Sequence, residues 1–215
     1  MNTTDRYDAS GLTEAQFEPE SDNKVLRNLR GIRSAHEMDR AEAVELERLT
    51  DEATWLYGTD RRFSAADICE LHRRWLGTIY SWAGHFRQVN LSRGSFPFAS
   101  AAQVPQLMEQ YETDVLARYT PCNTLDGPAL SLALAATHVE LVLIHPFRDG
   151  NGRIARLLSS VMALQAGLPL LNYSEIAVSL KQQYIAAVQS GLDRDYLPMK
   201  QIFDAVIART MGEAP

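Results

Sequence analysis

One run of residues in this chain combines side chains that can do chemistry together: His145-Pro146-Phe147-Arg148-Asp149-Gly150-Asn151-Gly152-Arg153-Ile154-Ala155-Arg156. Pro146 ends a preceding apolar helix near Ile144. Gly150-Asn151-Gly152 supplies permissive backbone just before a new helix. Successive N–H groups at a helix start, helped by the dipole, bind anions. Arg153 opens that helix and Arg156 lies one turn on, on the same face. Two guanidiniums there suit a polyphosphate, whereas folding alone would not choose cations at the positive end of a helix. Asp149 offers a hard oxygen for a Mg²⁺ already bridged to phosphates. His145 can act as a base near neutral pH. The combined chemistry is nucleotidyl or phosphoryl transfer from a nucleotide.

Four other readings compete for the same residues. Gly150-x-Gly152-x-x-Ala155 fits a dinucleotide-binding turn, with Val139–Ile144 as the strand before it and Glu175 as the acidic residue after it. However, no βαβ rhythm runs through the chain, and such a turn has no use for His145 and Asp149. A P-loop is excluded because no GxxxxGK[ST] occurs, and a zinc protease because no HExxH occurs. A plain glycine-rich connector would leave every polar residue of the run unexplained.

The elements that position this run read as mostly α. Residues 1–23 are polar and turn-rich, an irregular arm. A helix over Ser34 to about Tyr57 has Ser34 and Glu37 as a capping box and Gly58 as its stop. A second spans Ser64 to Leu76, with Ala65, Ile68, Leu71 and Trp75 on one stripe. Residues 86–99 break the helical rhythm: Val89 and Leu91 alternate with polar neighbours, then SRGS gives a turn, and Phe96 and Phe98 flank Pro97. That pattern is a hairpin with an edge strand. Further helices cover Val104 to Tyr119, Leu130 to Ile144, Ile154 to Ala166, Ser174 or Glu175 to Ser190, and Pro198 to Met211. Trp55, Trp75 and Trp82 are expected in the core. His36, His72, His85 and His138 are expected to pack or lie on the surface, and Arg148 to be solvated.

Composition narrows the function classes. The chain has 215 residues, 46% apolar and 22% charged, which is globular and ordered. A net charge of −6 argues against general nucleic-acid binding. No apolar run of membrane-spanning length and no secretory leader are evident, so no membrane partner is expected. Cys69 and Cys122 make no disulfide framework or zinc pair, which points to a reduced, cytoplasmic chain.

The run from His145 to Arg156 resembles the complete signature of the Fic family, HxFx(D/E)GNGRxxR, at every defined position. Tyr80 to Arg87 is similar to that family's lead into its flap hairpin, and Val25 to Asn28 with Ala41-Glu42-Ala43 to its N-terminal lead-in. The similarity covers residues 24–205, with a catalytic core at about 64–167 and a tail at 206–215. The resemblance implies a helical Fic bundle with one short hairpin flap, and transfer of AMP from ATP to a Tyr, Thr or Ser hydroxyl of a target protein. By that resemblance His145 is the base and Asp149 holds Mg²⁺ against the phosphates. Gly150, Asn151 (backbone and side chain) and Gly152 form the anion hole, Arg153 contacts the phosphate chain, and Arg156 reaches the γ-phosphate. Phe147 anchors the loop in the core. The flap over 86–99 would pair with the target segment. The family's inhibitory string, (S/T)xxxE(G/N), is incomplete here. Ser10-Gly11-Leu12-Thr13-Glu14 is followed by Ala15, and reads as arm. A small separate antitoxin is then the expected restraint on a toxin, in the cytoplasm or in a host cell. The alternatives are a variant moving another nucleotide or phosphate-linked group, and an inactive scaffold that binds protein partners.

Overall fold

The structure, a computed structural model, describes residues 11–178 and 180–212. Ser10 and the rest of residues 1–10, together with Glu213, lie outside it. Among the described residues the chain is helical apart from one two-stranded ladder. Helices α1 (Ala35–Leu56) and α2 (Ala65–Leu76) pack on each other and on α6 (Asn151–Gln165). The ladder pairs β1 (Ser92–Arg93) with β2 (Phe96–Pro97). Next come α3 (Val104–Gln110), a π-helical turn at Tyr111–Leu116 and α4 (Ala117–Tyr119), followed by the central α5 (Gly127–Ile144). Last in order are α7 (Ser174–Val178), α8 (Lys181–Ser190) and α9 (Leu197–Thr210).

Local side-chain caps account for the starts of α1 and α2. Ser64 and Asp67 complete a reciprocal capping box on α2. On α1, Ser34 Oγ accepts the Glu37 N–H at 3.4 Å, one half of the expected box. α5 is apolar on all sides, as a helix enclosed by others must be. It packs on α6, α8 and α9. With 18 residues at mean hydropathy 1.6 it has the length and composition of a membrane span, contrary to expectation. Two-thirds of it (67%) is buried inside the protein, which is the pattern of a core helix.

Several expectations need correcting. Trp55 is 72% exposed, not core. The buried stripe of α1 is Met38, Glu42, Leu49 and Ala53, and Trp55 lies about 200° around the helix from Ala53. The expected helix over 174–190 is broken between Val178 and Lys181. There Leu180 leaves helical geometry (φ −103°, ψ 7°), and Tyr184 of α8 bonds His138 of α5, a tertiary contact that outweighs local propensity. Residues 206–210 are not tail but the end of α9, with Val206 buried and Thr210 Oγ1 accepting the Asn172 N–H. The irregular arm is described from Gly11 onward. Thr13–Ala15 form a 3₁₀ turn, Phe17 bridges to Leu26, and Glu18 accepts the Asn28 N–H at 2.8 Å.

Among the histidines, His36 and His85 are exposed, whereas His72 and His138 are fully buried. Burial holds the His72 ring down to about 4 and the His138 ring to about 3, so both are neutral in the fold. Unfolded, each would take a proton near its ordinary value of about 6.5. The folded values are depressed, so their contribution to stability is complete above the unfolded value and is lost as pH falls below it. Thermal melts are expected to be flat above about pH 6.5 and to decline below it. His138→Gln should reduce that slope by about one proton. An unchanged slope in His138→Gln would refute this account.

Candidate active site

His145 closes α5 in the left-handed region (φ 53°, ψ 58°), which costs a non-glycine residue about 1–3 kcal/mol. Two bonds hold it there: the ring Nδ1 lies 3.0 Å from the Val142 carbonyl, and the His145 carbonyl accepts Arg87 Nε at 2.7 Å. A carbonyl only accepts, so Nδ1 carries the hydrogen and Nε2 keeps its lone pair. Burial brings the ring down to about 4, leaving it neutral at neutral pH. Phe98, just past β2, stacks on the ring with centroids 3.6 Å apart.

The loop after His145 is held from inside. Phe147 is fully buried, as expected, and stacks on His72 at 3.9 Å. His72 Nε2 donates to the Asp149 carbonyl (3.1 Å), while its Nδ1 accepts the Gly84 N–H (2.8 Å). Asn151 is 2% exposed, and its amide bonds both the N–H and the carbonyl of Phe147 at 2.8 Å. Its side chain therefore closes the loop and is not turned to a phosphate, which corrects the role expected for it. Arg148 is also not simply solvated, because its Nε donates to the Glu14 carbonyl at 2.7 Å.

α6 begins at Asn151, three residues before the expected Ile154. The N–H groups of Asn151 and Gly152 thus sit in its first turn, where no intrahelical acceptor exists. Gly150 has φ 81°, and a Cβ there would meet Trp75 Cζ3 at 2.5 Å. At Gly152 a Cβ would make only an ordinary contact, 3.6 Å from Arg156 Nη1, so the fold itself does not require that glycine. The two arginines differ. Arg153 is paired with buried Glu42 (2.6 Å) and lies 4.5 Å over the Trp75 ring, so it does have a structural reason to stand at this helix start. Arg156 has no carboxylate partner among the described residues. Asp149 accepts the Gly150 N–H on Oδ1 (2.6 Å), with Arg153 Nη2 at 3.6 Å.

His145, Asp149, Gly150, Asn151, Gly152, Arg153 and Arg156 all line one cavity of about 500 Å³, along with Arg93 of β1 and Tyr173, Ile176 and Tyr184. The competing dinucleotide reading fails here, since Val139–Ile144 is part of helix α5 and Glu175 pairs with Arg209. The hairpin forms, but its ladder is limited to Ser92↔Pro97 and Arg93↔Phe96 around Gly94 (φ 59°). Side chains take up the backbone of its legs. Arg87 binds the Val89 and Ala99 carbonyls, and Asn90 accepts the Ala101 N–H. Sequence reasoning missed Glu42, His72 and Arg87 as supports of the site. Only Arg87 and Glu42 had a signal, as parts of the stretches that resemble the family's lead-ins.

The two glycines should respond differently to alanine. Gly152→Ala is expected to melt close to wild type but to bind a triphosphate at least about tenfold more weakly, because the added methyl occupies the approach to the N–H groups. Gly150→Ala is expected to lose stability, through its positive φ and its clash with Trp75. Melting curves and calorimetric titration with a non-hydrolysable ATP analogue separate the two. Wild-type affinity in Gly152→Ala would contradict the assignment.

The chain is similar to known proteins. The sequence model of the Fic/DOC family matches residues 62–163. The "Probable protein adenylyltransferase Fic" of Salmonella typhimurium is 30% identical over 195 residues, 86% of this chain and 88% of that protein. "Protein adenylyltransferase VbhT" of Bartonella schoenbuchensis is 30% identical over 164 residues, but this chain spans only 32% of its length. The N-terminal Fic domain of a Bartonella effector protein from Bartonella sp. AR 15-3 shares the fold with a TM-score of 0.72 at 17% identity, over 94% of this chain and 95% of that one. BepC from Bartonella tribocorum, solved with bound AMPPNP, gives 0.66 at 20% identity over 84% and 91%. On the coverage and identity to the Salmonella protein, and with the signature folded around its cavity, this chain belongs to the Fic/DOC family.

Proposed function

We propose that this chain is a protein adenylyltransferase, moving AMP from ATP to a Tyr, Thr or Ser hydroxyl of a target protein and releasing pyrophosphate. The observation that carries this reading is a shared cavity. A neutral His145, its Nε2 unprotonated, lines the same 500 Å³ space as Asn151 and Gly152, whose N–H groups have no partner among the described residues, and as Arg156, which has no carboxylate partner among them. His145 takes the proton of the target hydroxyl as it attacks the α-phosphorus. The N–H groups and the positive end of α6 stabilise charge on the α- and β-phosphates. Arg156 receives the γ-phosphate, and Arg153, oriented by Glu42, faces the phosphate chain from beside Asp149.

Asp149 fits a Mg²⁺ ligand. Its carboxylate is half-exposed, and Oδ2 has no partner among the described residues. The described residues also contain no cluster of three metal-binding side chains, which suits an ion whose other ligands are phosphates and water. Bound there, the ion would neutralise charge on the α- and β-phosphates. For the target, no third strand pairs with the hairpin among the described residues. Arg93 lines the cavity and Phe98 covers His145, so a strand added to the hairpin brings its hydroxyl toward Nε2. Restraint in trans, by a small partner placing an acidic side chain on Arg156, is part of the same proposal. Its support is that Glu14 of the near-inhibitory string is already bound to the Gln88 and Val89 N–H groups. The setting is a cytoplasm, its own or a host's, where ATP is available.

Two measurements test this. His145→Ala should lower label transfer from α-labelled ATP to lysate protein by about 10²–10⁴-fold while keeping affinity for an ATP analogue. Unchanged transfer would remove His145 as the base. Intact-mass analysis of a modified protein should show one added AMP, and a phosphate-sized addition would instead place the chain among kinases.

A further inference from the structure

A guanidinium is buried where the hairpin meets the signature loop. Arg87 is 2% exposed, and its donors reach carbonyls from two separate regions. Nε binds the His145 carbonyl (2.7 Å) and Nη2 the Ile144 carbonyl (3.4 Å), at the end of α5. Nη1 binds Val89 (2.8 Å) and Nη2 also binds Ala99 (2.6 Å), one on each leg of the hairpin. Its own N–H donates to the Pro146 carbonyl at 2.9 Å. One side chain thus ties both legs of the hairpin to the residue that carries the ring nitrogen.

Carbonyl groups satisfy the donors of this buried guanidinium. Glu14, from the N-terminal 3₁₀ turn, holds the same leg of the hairpin through its carboxylate oxygen. It is 6% exposed. Its Oε1 accepts the N–H groups of Gln88 (2.6 Å) and Val89 (2.9 Å), and its carbonyl accepts Arg148 Nε from the signature loop. The segment holding Glu14 therefore grips the hairpin with its side chain and the loop with its backbone.

We propose that Glu14 is a positioning residue for transfer, acting alongside Arg87 on the hairpin. Together they hold the hairpin edge, and so the target hydroxyl, in register with His145. This rests on the adenylyl-transfer reading. It also reverses the effect expected of an inhibitory glutamate, because removing Glu14 slows the reaction. The phosphate end of the cavity is built from α6, so nucleotide affinity does not depend on this brace. A misplacement of about 1 Å can cost about 10²-fold in rate.

The test compares Glu14→Ala with Glu14→Gln, whose Oε1 still accepts both N–H groups. Rates are read as α-labelled ATP transfer to lysate protein across ATP concentrations, alongside amide exchange. In Glu14→Ala the saturated rate should fall about 10–100-fold, with half-saturating ATP unchanged and faster exchange at Gln88 and Val89. Glu14→Gln should recover most of the rate. If Glu14→Ala fails to fold, Arg87→Lys carries the same test, since one ammonium cannot span both hairpin legs and α5. A rate equal to or above wild type in Glu14→Ala, or a change only in half-saturating ATP, overturns the proposal. If the wild-type chain transfers no AMP, the adenylyl-transfer reading fails on its own. Exchange at Gln88 and Val89 then still decides the brace, and unaltered exchange in Glu14→Ala refutes it.

Discussion

Two apolar helices, α5 and α6, are joined by a loop whose backbone is sunk into the protein, and buried N–H and carbonyl groups must find partners. Three polar side chains meet that demand. Arg87 serves the carbonyls of Ile144 and His145, Asn151 serves both backbone groups of Phe147, and His72 serves the carbonyl of Asp149. Each is itself buried, so the loop is held by groups that have few alternative partners. The left-handed turn at His145 persists because this surrounding structure determines it from several sides. The unprotonated Nε2 and the helix start that lines the cavity are consequences of that one arrangement.

Charge is divided just as definitely. Arg153 is paired with Glu42 and lies over Trp75, while Tyr80 donates to the other oxygen of Glu42. That cluster ties α1 and α2 to the start of α6 and satisfies a buried carboxylate. Arg156, one turn later, has no such partner among the described residues and is left for an anionic ligand. Two residues of one type and one motif thus divide into a largely structural cation and a ligand-facing one, according to which helix packs beside each.

The hairpin shows how a weak local element is kept in place. A ladder of two residue pairs is too short to hold itself. It persists because side chains outside the ladder bind its legs: Arg87, Glu14 and the Phe98–His145 stack.

The signature from His145 to Arg156 was legible in the sequence because its chemistry depends on residue type and short spacing, and both are written in the chain. Helices α2, α5, α6 and α9 were legible for a similar reason, since their apolar patterns are local and α2 also carries its own cap. What the sequence could not reveal were the partners that are distant along the chain. Glu42 lies 111 positions from Arg153, and Arg87 lies 58 from His145. Trp55 read as core from its place in a helical pattern, but the side of α1 that faces α2 and α6 decides burial. The side chain of Asn151 could have served phosphate or backbone, and only the depth of the loop chose the backbone, because a buried amide group left unpaired costs more than a lost ligand contact.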